Sequence, residues 1–205
     1  MDPSVWLSAS VVLGVAAAWG SSAQLDFRQG PISNLQPRGG AFAIWLVIFT
    51  LQLVAAVLLQ HVAWSARAVV ALVASLALCT VWTKVWPHRA AGYVLLAAAA
   101  VAWTSLAWSA HPLPRAATGI YAGWLTVATV LNLVPVAPPW VLPLVATAAA
   151  SGSVALGKYE PLLAVTWAVL LQRPLAEGGQ SLLSVGTALT ACVLGIVFST
   201  GVRRP

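Results

Sequence analysis

Acidic side chains are almost missing from this sequence: four Asp and Glu against ten Lys and Arg in 205 residues. Charge of either sign makes up 7% of the chain, where a soluble domain carries about 25%. None of the four carboxylates (Asp2, Asp26, Glu160 and Glu177) lies inside a long apolar run, and all read as near water. That argues against charge-coupled transport and intramembrane aspartyl chemistry, which need an ionisable group at depth. Lysine is as scarce: Lys84 and Lys158 fall at the ends of apolar runs, so no buried amine is placed to hold a retinal Schiff base. His61, His88 and His111 lie in or beside loops rather than at the facing positions that two-imidazole haem ligation needs. Cys79 and Cys192 sit in apolar runs without metal-ligand spacing and read as small buried hydrophobes rather than a disulfide. No Ser/His/Asp set, HExxH motif or Gly-rich phosphate loop can be assembled. Nothing argues for an enzyme, a metal or an obligatory cofactor.

The formal net charge of +6 does not make a nucleic-acid binder, because the basic residues are scattered over every loop. The one dense pair, Arg203-Arg204, suits lipid phosphates better than a polynucleotide.

What the sequence has is apolar length. Hydrophobic residues make up 60% of the chain, and water does not keep such a surface dispersed. Eight apolar runs fall at about 4–24, 41–60, 67–84, 90–110, 117–135, 139–157, 161–173 and 181–201, with prolines between them or at their ends. The expectation is an all-α, polytopic membrane bundle of about eight transmembrane helices in a single membrane domain, residues 1–205. The run 161–173 is short for a hydrocarbon core of roughly 30 Å. Met1-Asp2-Pro3 lacks the positive start of a secretory signal, so the first run reads as a mature spanning helix, although Ser22-Ala23 resembles a cleavage site. With eight spans, Arg67, Arg115, Lys158, Arg203 and Arg204 face Arg28, Arg38, Lys84, Arg89 and Arg173 across the membrane, so charge bias does not orient the chain. The polar stretch 25–40 is the one long connection and reads as a lid over a cavity or as a plain connector. Small-residue stretches such as Ala97–Ala100 and Ala148–Ser151 allow close helix contact, within the chain or in a homodimer.

Eleven tryptophans stand out. Trp6, Trp64, Trp86, Trp108 and Trp140 lie near the ends of runs, as an interfacial belt requires. Trp45, Trp103, Trp124 and Trp167 lie deeper, as packing or as the wall of a ligand site. In the second run, Phe42, Trp45, Phe49 and Gln52 share one helical face; in the fifth, Tyr121, Trp124, Ala128 and Leu131 do, with Asn132 adjacent. Each face joins flat aromatic surface to a polar group at depth. A Gln or Asn in lipid must find a partner on another helix or on a ligand. Two such faces brought together make an apolar slot with a few hydrogen-bonding points, suited to a planar hydrophobic small molecule.

These stretches also carry a family resemblance. Gly119-Ile120-Tyr121-Ala122-Gly123-Trp124-Leu125-Thr126-Val127-Ala128-Thr129-Val130-Leu131-Asn132 resembles the fifth-helix signature of the translocator-protein family (TspO/MBR, tryptophan-rich sensory proteins). Pro37-Arg38-Gly39-Gly40-Ala41-Phe42-Ala43-Ile44-Trp45-Leu46-Val47-Ile48-Phe49 resembles its entry into the second helix, and Val81-Trp82-Thr83-Lys84-Val85-Trp86 the end of its third. Residues 4–135 would form the five-helix core and 139–201 three further helices, as in a longer branch of the family whose Tyr-x7-Trp-Ala pattern is similar to Tyr159 with Trp167-Ala168.

The resemblance implies a pocket for tetrapyrroles or similar hydrophobic ligands, lined by Trp45, Trp82, Trp124, Ala128 and Asn132 with 25–40 as lid. A bound porphyrin or haem-like tetrapyrrole is then an optional cofactor. Three departures are visible: Cys79 stands where the family often has Asn, Phe49 replaces its second-helix Tyr, and Leu133-Val134-Pro135 lacks the Tyr and basic residue of its proposed cholesterol motif. A sterol is therefore the less favoured ligand. The function expected is a membrane receptor or sensor for a planar hydrophobic ligand. The alternatives are a carrier moving such a ligand or a lipid across the membrane, and a structural or assembly subunit of a membrane or pigment complex. Porphyrin degradation ranks last.

Overall fold

A computed structural model describes residues 3–22, 43–58, 64–134, 138, 140–170 and 182–201. The regular structure there is all helical: α1 (Pro3–Ser22), α2 (Ile44–Val57), α3 (Ala66–Val85), α4 (Ala90–Trp108), α5 (Pro112–Leu133), α6 (Val141–Leu156), α7 (Glu160–Leu170) and α8 (Leu182–Gly201). Helices are what an apolar chain in lipid is driven to, because each backbone N–H and C=O must be satisfied inside its own segment. Five of them, α1, α3, α4, α5 and α8, are long and apolar enough to cross a membrane; α2, α6 and α7 are shorter. The 11 residues of α7 rise about 16 Å at 1.5 Å per residue, roughly half of a hydrocarbon core.

Local chemistry sets several of the ends. Ser65 caps α3, its hydroxyl accepting the Ala68 N–H at 3.2 Å. Gly157 closes α6 in the left-handed conformation, φ +63°. The largest departure from the apolar runs is at α5, which starts at Pro112 rather than near 117. His111 caps it, Nδ1 accepting the Leu113 N–H at 3.3 Å. Pro112 and Pro114 fit because the first turn needs no N–H from them. Prolines placed between runs or at their ends are here the start of the helix.

α1 packs on α2 and α3, α3 on α4, α4 on α5, and α5 on α2, which closes a ring of five helices. α6, α7 and α8 pack on one another and meet the ring mainly through α5. Polar bonds cross several seams. Ser8 Oγ donates to the Ala56 carbonyl (2.5 Å) between α1 and α2. Ser75 Oγ donates to Ala98 O (2.8 Å) and Ser105 Oγ to Ala68 O (2.6 Å) between α3 and α4. The Trp103 indole N–H donates to Thr126 Oγ1 (3.1 Å) between α4 and α5. Trp103, one of the deep tryptophans, is thus a packing anchor. Trp167 faces outward, and so do Trp6, Trp108 and Trp140 of the expected belt, whereas Trp64 is buried and Trp86 half-buried.

Candidate functional site

α5 presents two opposed faces. Gly119 and Gly123 lie on one, and α7 comes so close there that a Cβ on Gly123 would sit 2.1 Å from the Pro161 carbonyl oxygen. About half a turn round the helix lie Tyr121, Trp124, Ala128 and Asn132. Tyr121 and Trp124 are fully buried, while Ala128, Leu131 and Asn132 are half-buried.

An aromatic cluster forms where α1, α2 and α5 converge. Trp45 stacks on Phe49 (centroids 5.2 Å, 21° between planes). Its ring also meets Trp124 edge-on at 6.2 Å and Tyr121 at 6.2 Å. Trp19, at the far end of α1, adds a fifth ring at 5.3 Å from Phe49. Sequence reading missed Trp19. Its signal was its spacing from Val11, Val15 and Ala18, the buried stripe of α1, whose edge it occupies.

α3 supplies the wall facing α5. Ser75, Cys79 and Trp82 recur at i, i+4 and i+7, and all three are buried. The Tyr121 hydroxyl donates to the Ser75 carbonyl at 3.3 Å, with Ser75 Oγ 3.4 Å away, and the Cys79 thiol lies beside it. The Trp82 indole N–H donates to Asn132 Oδ1 at 3.3 Å, and Asn132 Nδ2 donates to the Ala128 carbonyl at 2.8 Å. Both cysteines are free and buried.

The two amides expected at depth therefore differ. Asn132 is held inside the protein. Gln52 lies in the middle of the buried face of α2, between Ile48, Phe49, Ala55 and Ala56, and is fully buried. Its Oε1 and Nε2 both lack a hydrogen-bond partner. Leaving an amide in that state costs about 1–3 kcal/mol by mutational measures. A carboxamide offers a donor and an acceptor to whatever reaches it. The rings of the cluster, Trp19, Trp45, Phe49, Tyr121 and Trp124, are all uncharged. Phe42 and the proposed lid, 25–40, lie outside the described residues.

One charged pair was not foreseen. Glu160, expected near water, is 3% exposed at the start of α7. The Arg115 Nε–H donates to its Oε1 at 2.5 Å, and Oε2 has no hydrogen-bond partner. Its neighbours in sequence gave no warning, because the burial comes from α7 docking against Gly119 and Gly123. Among the described residues, no group of three or more His, Cys, Asp or Glu is placed to hold a metal ion.

No family model, no curated protein and no solved structure matches the chain.

Proposed function

We propose that the protein is a membrane receptor or sensor that takes a planar hydrophobic ligand of the tetrapyrrole type against the aromatic cluster of α1, α2 and α5. The observation that carries this reading is Gln52: a fully buried side-chain amide with both polar atoms unpartnered, on the same helical face as Trp45 and Phe49. Buried polar groups in folded proteins are nearly always satisfied, so an amide left open on the helical face that carries Trp45 and Phe49 is suited to a ligand. Trp45, Phe49, Tyr121 and Trp124 supply flat apolar surface, and Gln52 supplies one donor and one acceptor. The resemblance of the second, third and fifth helices to the translocator-protein family suggests a tetrapyrrole or a sterol, and Leu133-Val134-Pro135, which lacks the Tyr and basic residue of the family's proposed cholesterol motif, disfavours the sterol. Trp82 and Asn132 satisfy each other, so in this reading they shape the wall and do not bind directly.

The test is a titration of the detergent-purified protein with protoporphyrin IX, followed by tryptophan emission, alongside Gln52→Leu, Trp45→Ala and Trp124→Ala. Saturable binding is expected, weakened roughly fivefold by Gln52→Leu through the loss of one net hydrogen bond and further by either tryptophan variant. Circular dichroism checks that each variant is folded. Equal binding in all four proteins, or none in the wild type, overturns the assignment. Porphyrin flux into liposomes would move the reading from receptor to carrier.

A further inference from the structure

On the outer face of the five-helix ring, α3 and α4 leave an open groove of about 510 Å³, lined by Ala66, Arg67, Val70, Ala71, Ala74, Val101, Thr104 and Trp108. Its floor is apolar, because small alanines of α3 let the groove form and the one hydroxyl, Thr104 Oγ1, is turned back to the Ala100 carbonyl at 2.9 Å. Its mouth is different. Arg67 stands there exposed, in the first turn of α3, where the helix dipole also favours an anion. Across from it the Trp108 ring is 46% exposed at the end of α4, the position an interfacial tryptophan takes.

Among the described residues, Arg67 has no hydrogen-bond or ion-pair partner. Among the described residues the one ion pair is Arg115–Glu160. The carbonyls that end α4 are already served by Lys158, whose ammonium donates to Leu106 O, to Ala107 O (3.0 Å) and to Ser109 O (2.9 Å). Ser65 Oγ donates to Trp108 O at 3.3 Å. Among the described residues, therefore, no side chain or carbonyl occupies this exposed cation at the rim of an apolar channel between two helices long enough to cross a membrane.

We infer that this groove is a binding site for an anionic phospholipid, with an acyl chain laid along Val70, Ala74 and Val101 and the phosphate on Arg67. The charge at the mouth selects the headgroup, and the alanine-lined floor accepts the chain. The groove lies about a third of a turn round α3 from Ser75, Cys79 and Trp82, shares no residue with the aromatic cluster, and stands independently of the tetrapyrrole reading.

Native mass spectrometry of the detergent-solubilised full chain, titrated with phosphatidylglycerol and with phosphatidylcholine of matched chains, tests it. Phosphatidylglycerol should bind roughly fivefold more tightly, the effect of one basic residue at an anionic headgroup. Arg67→Gln should abolish that preference. Ala74→Phe, which fills the groove from an exposed position, should lower retention of both lipids. Arg89→Gln, 19 residues of helix away at the other end of α4, should change nothing. Equal retention of the two lipids overturns the inference, as does a preference that survives Arg67→Gln. So does a groove-filling variant that binds as the wild type does, or a dimer peak that Ala74→Phe removes, since a second copy would then be the occupant.

Discussion

Replacing Gly123 by Ala should loosen the joint between α5 and α7 far more than one methyl group normally does. The new Cβ would lie 2.1 Å from the Pro161 carbonyl oxygen, 2.7 Å from its carbonyl carbon and 2.8 Å from its Cα. A relaxed carbon–oxygen contact needs about 3.3 Å, so the two backbones must part by roughly 1.2 Å. No rotamer relieves a clash with main chain. Leu162, Ala164, Val165 and Ala168 follow Pro161 and are all at most 1% exposed, so separation opens the whole seam. Overpacking typically costs about 1–3 kcal/mol, and a clash against backbone belongs at the upper end. Alanine's better helix propensity returns up to about 1 kcal/mol, leaving a net loss of about 2 kcal/mol. Gly186 provides the control, since a Cβ there meets nothing within 4 Å, and Gly186→Ala should be neutral or stabilising by up to about 1 kcal/mol. Unfolding by SDS in mixed micelles, followed by far-UV circular dichroism, compares the two. Gly123→Ala should unfold at lower SDS than wild type, and Gly186→Ala at the same or higher. Coincident transitions for the two variants would refute the close approach of α5 and α7.

Gln52→Leu should stabilise the ligand-free protein by about 1–3 kcal/mol, because it removes two unsatisfied buried atoms at little change in volume; the same SDS titration reads it, and a destabilised variant would mean the amide has a partner. Glu160→Gln should destabilise by about 1–3 kcal/mol through loss of the pair with Arg115, below the range for fully buried pairs because the Arg115 side chain is 29% exposed. Arg115→Gln alongside it in a double-mutant cycle should show coupling, and additive losses would count against the pair.

The two faces of α5 show where sequence reading works and where it stops. Tyr121, Trp124 and Ala128 could be placed together on one face because helical spacing is a local rule. The same rule put Trp45, Phe49 and Gln52 on one face of α2, and the structure brings the aromatic members of both sets into contact. What spacing did not convey is that Gly119 and Gly123, within the same motif, serve a different partner. Nor did it separate Gln52 from Asn132, which look alike in the chain. Their fates differ because Trp82, fifty residues from Asn132 in sequence, reaches one amide and not the other. The start of α5 was placed five residues late, near 117 rather than at Pro112, for a related reason: proline breaks a helix interior and begins a helix equally well, and the neighbouring cap decides between them.

By itself the sequence determined that the chain is helical, apolar enough to cross a membrane several times, and charged only at the ends of its long runs. These follow from composition alone, because in lipid every backbone group must be satisfied locally and only a helix does that within one segment. The tertiary structure alone decided the closing of α1 to α5 into a ring, the burial of Glu160 under α7, the unpartnered state of Gln52, and the groove that leaves Arg67 exposed. Each depends on which helices become neighbours, and that is settled by close packing between distant segments rather than by any property of one of them.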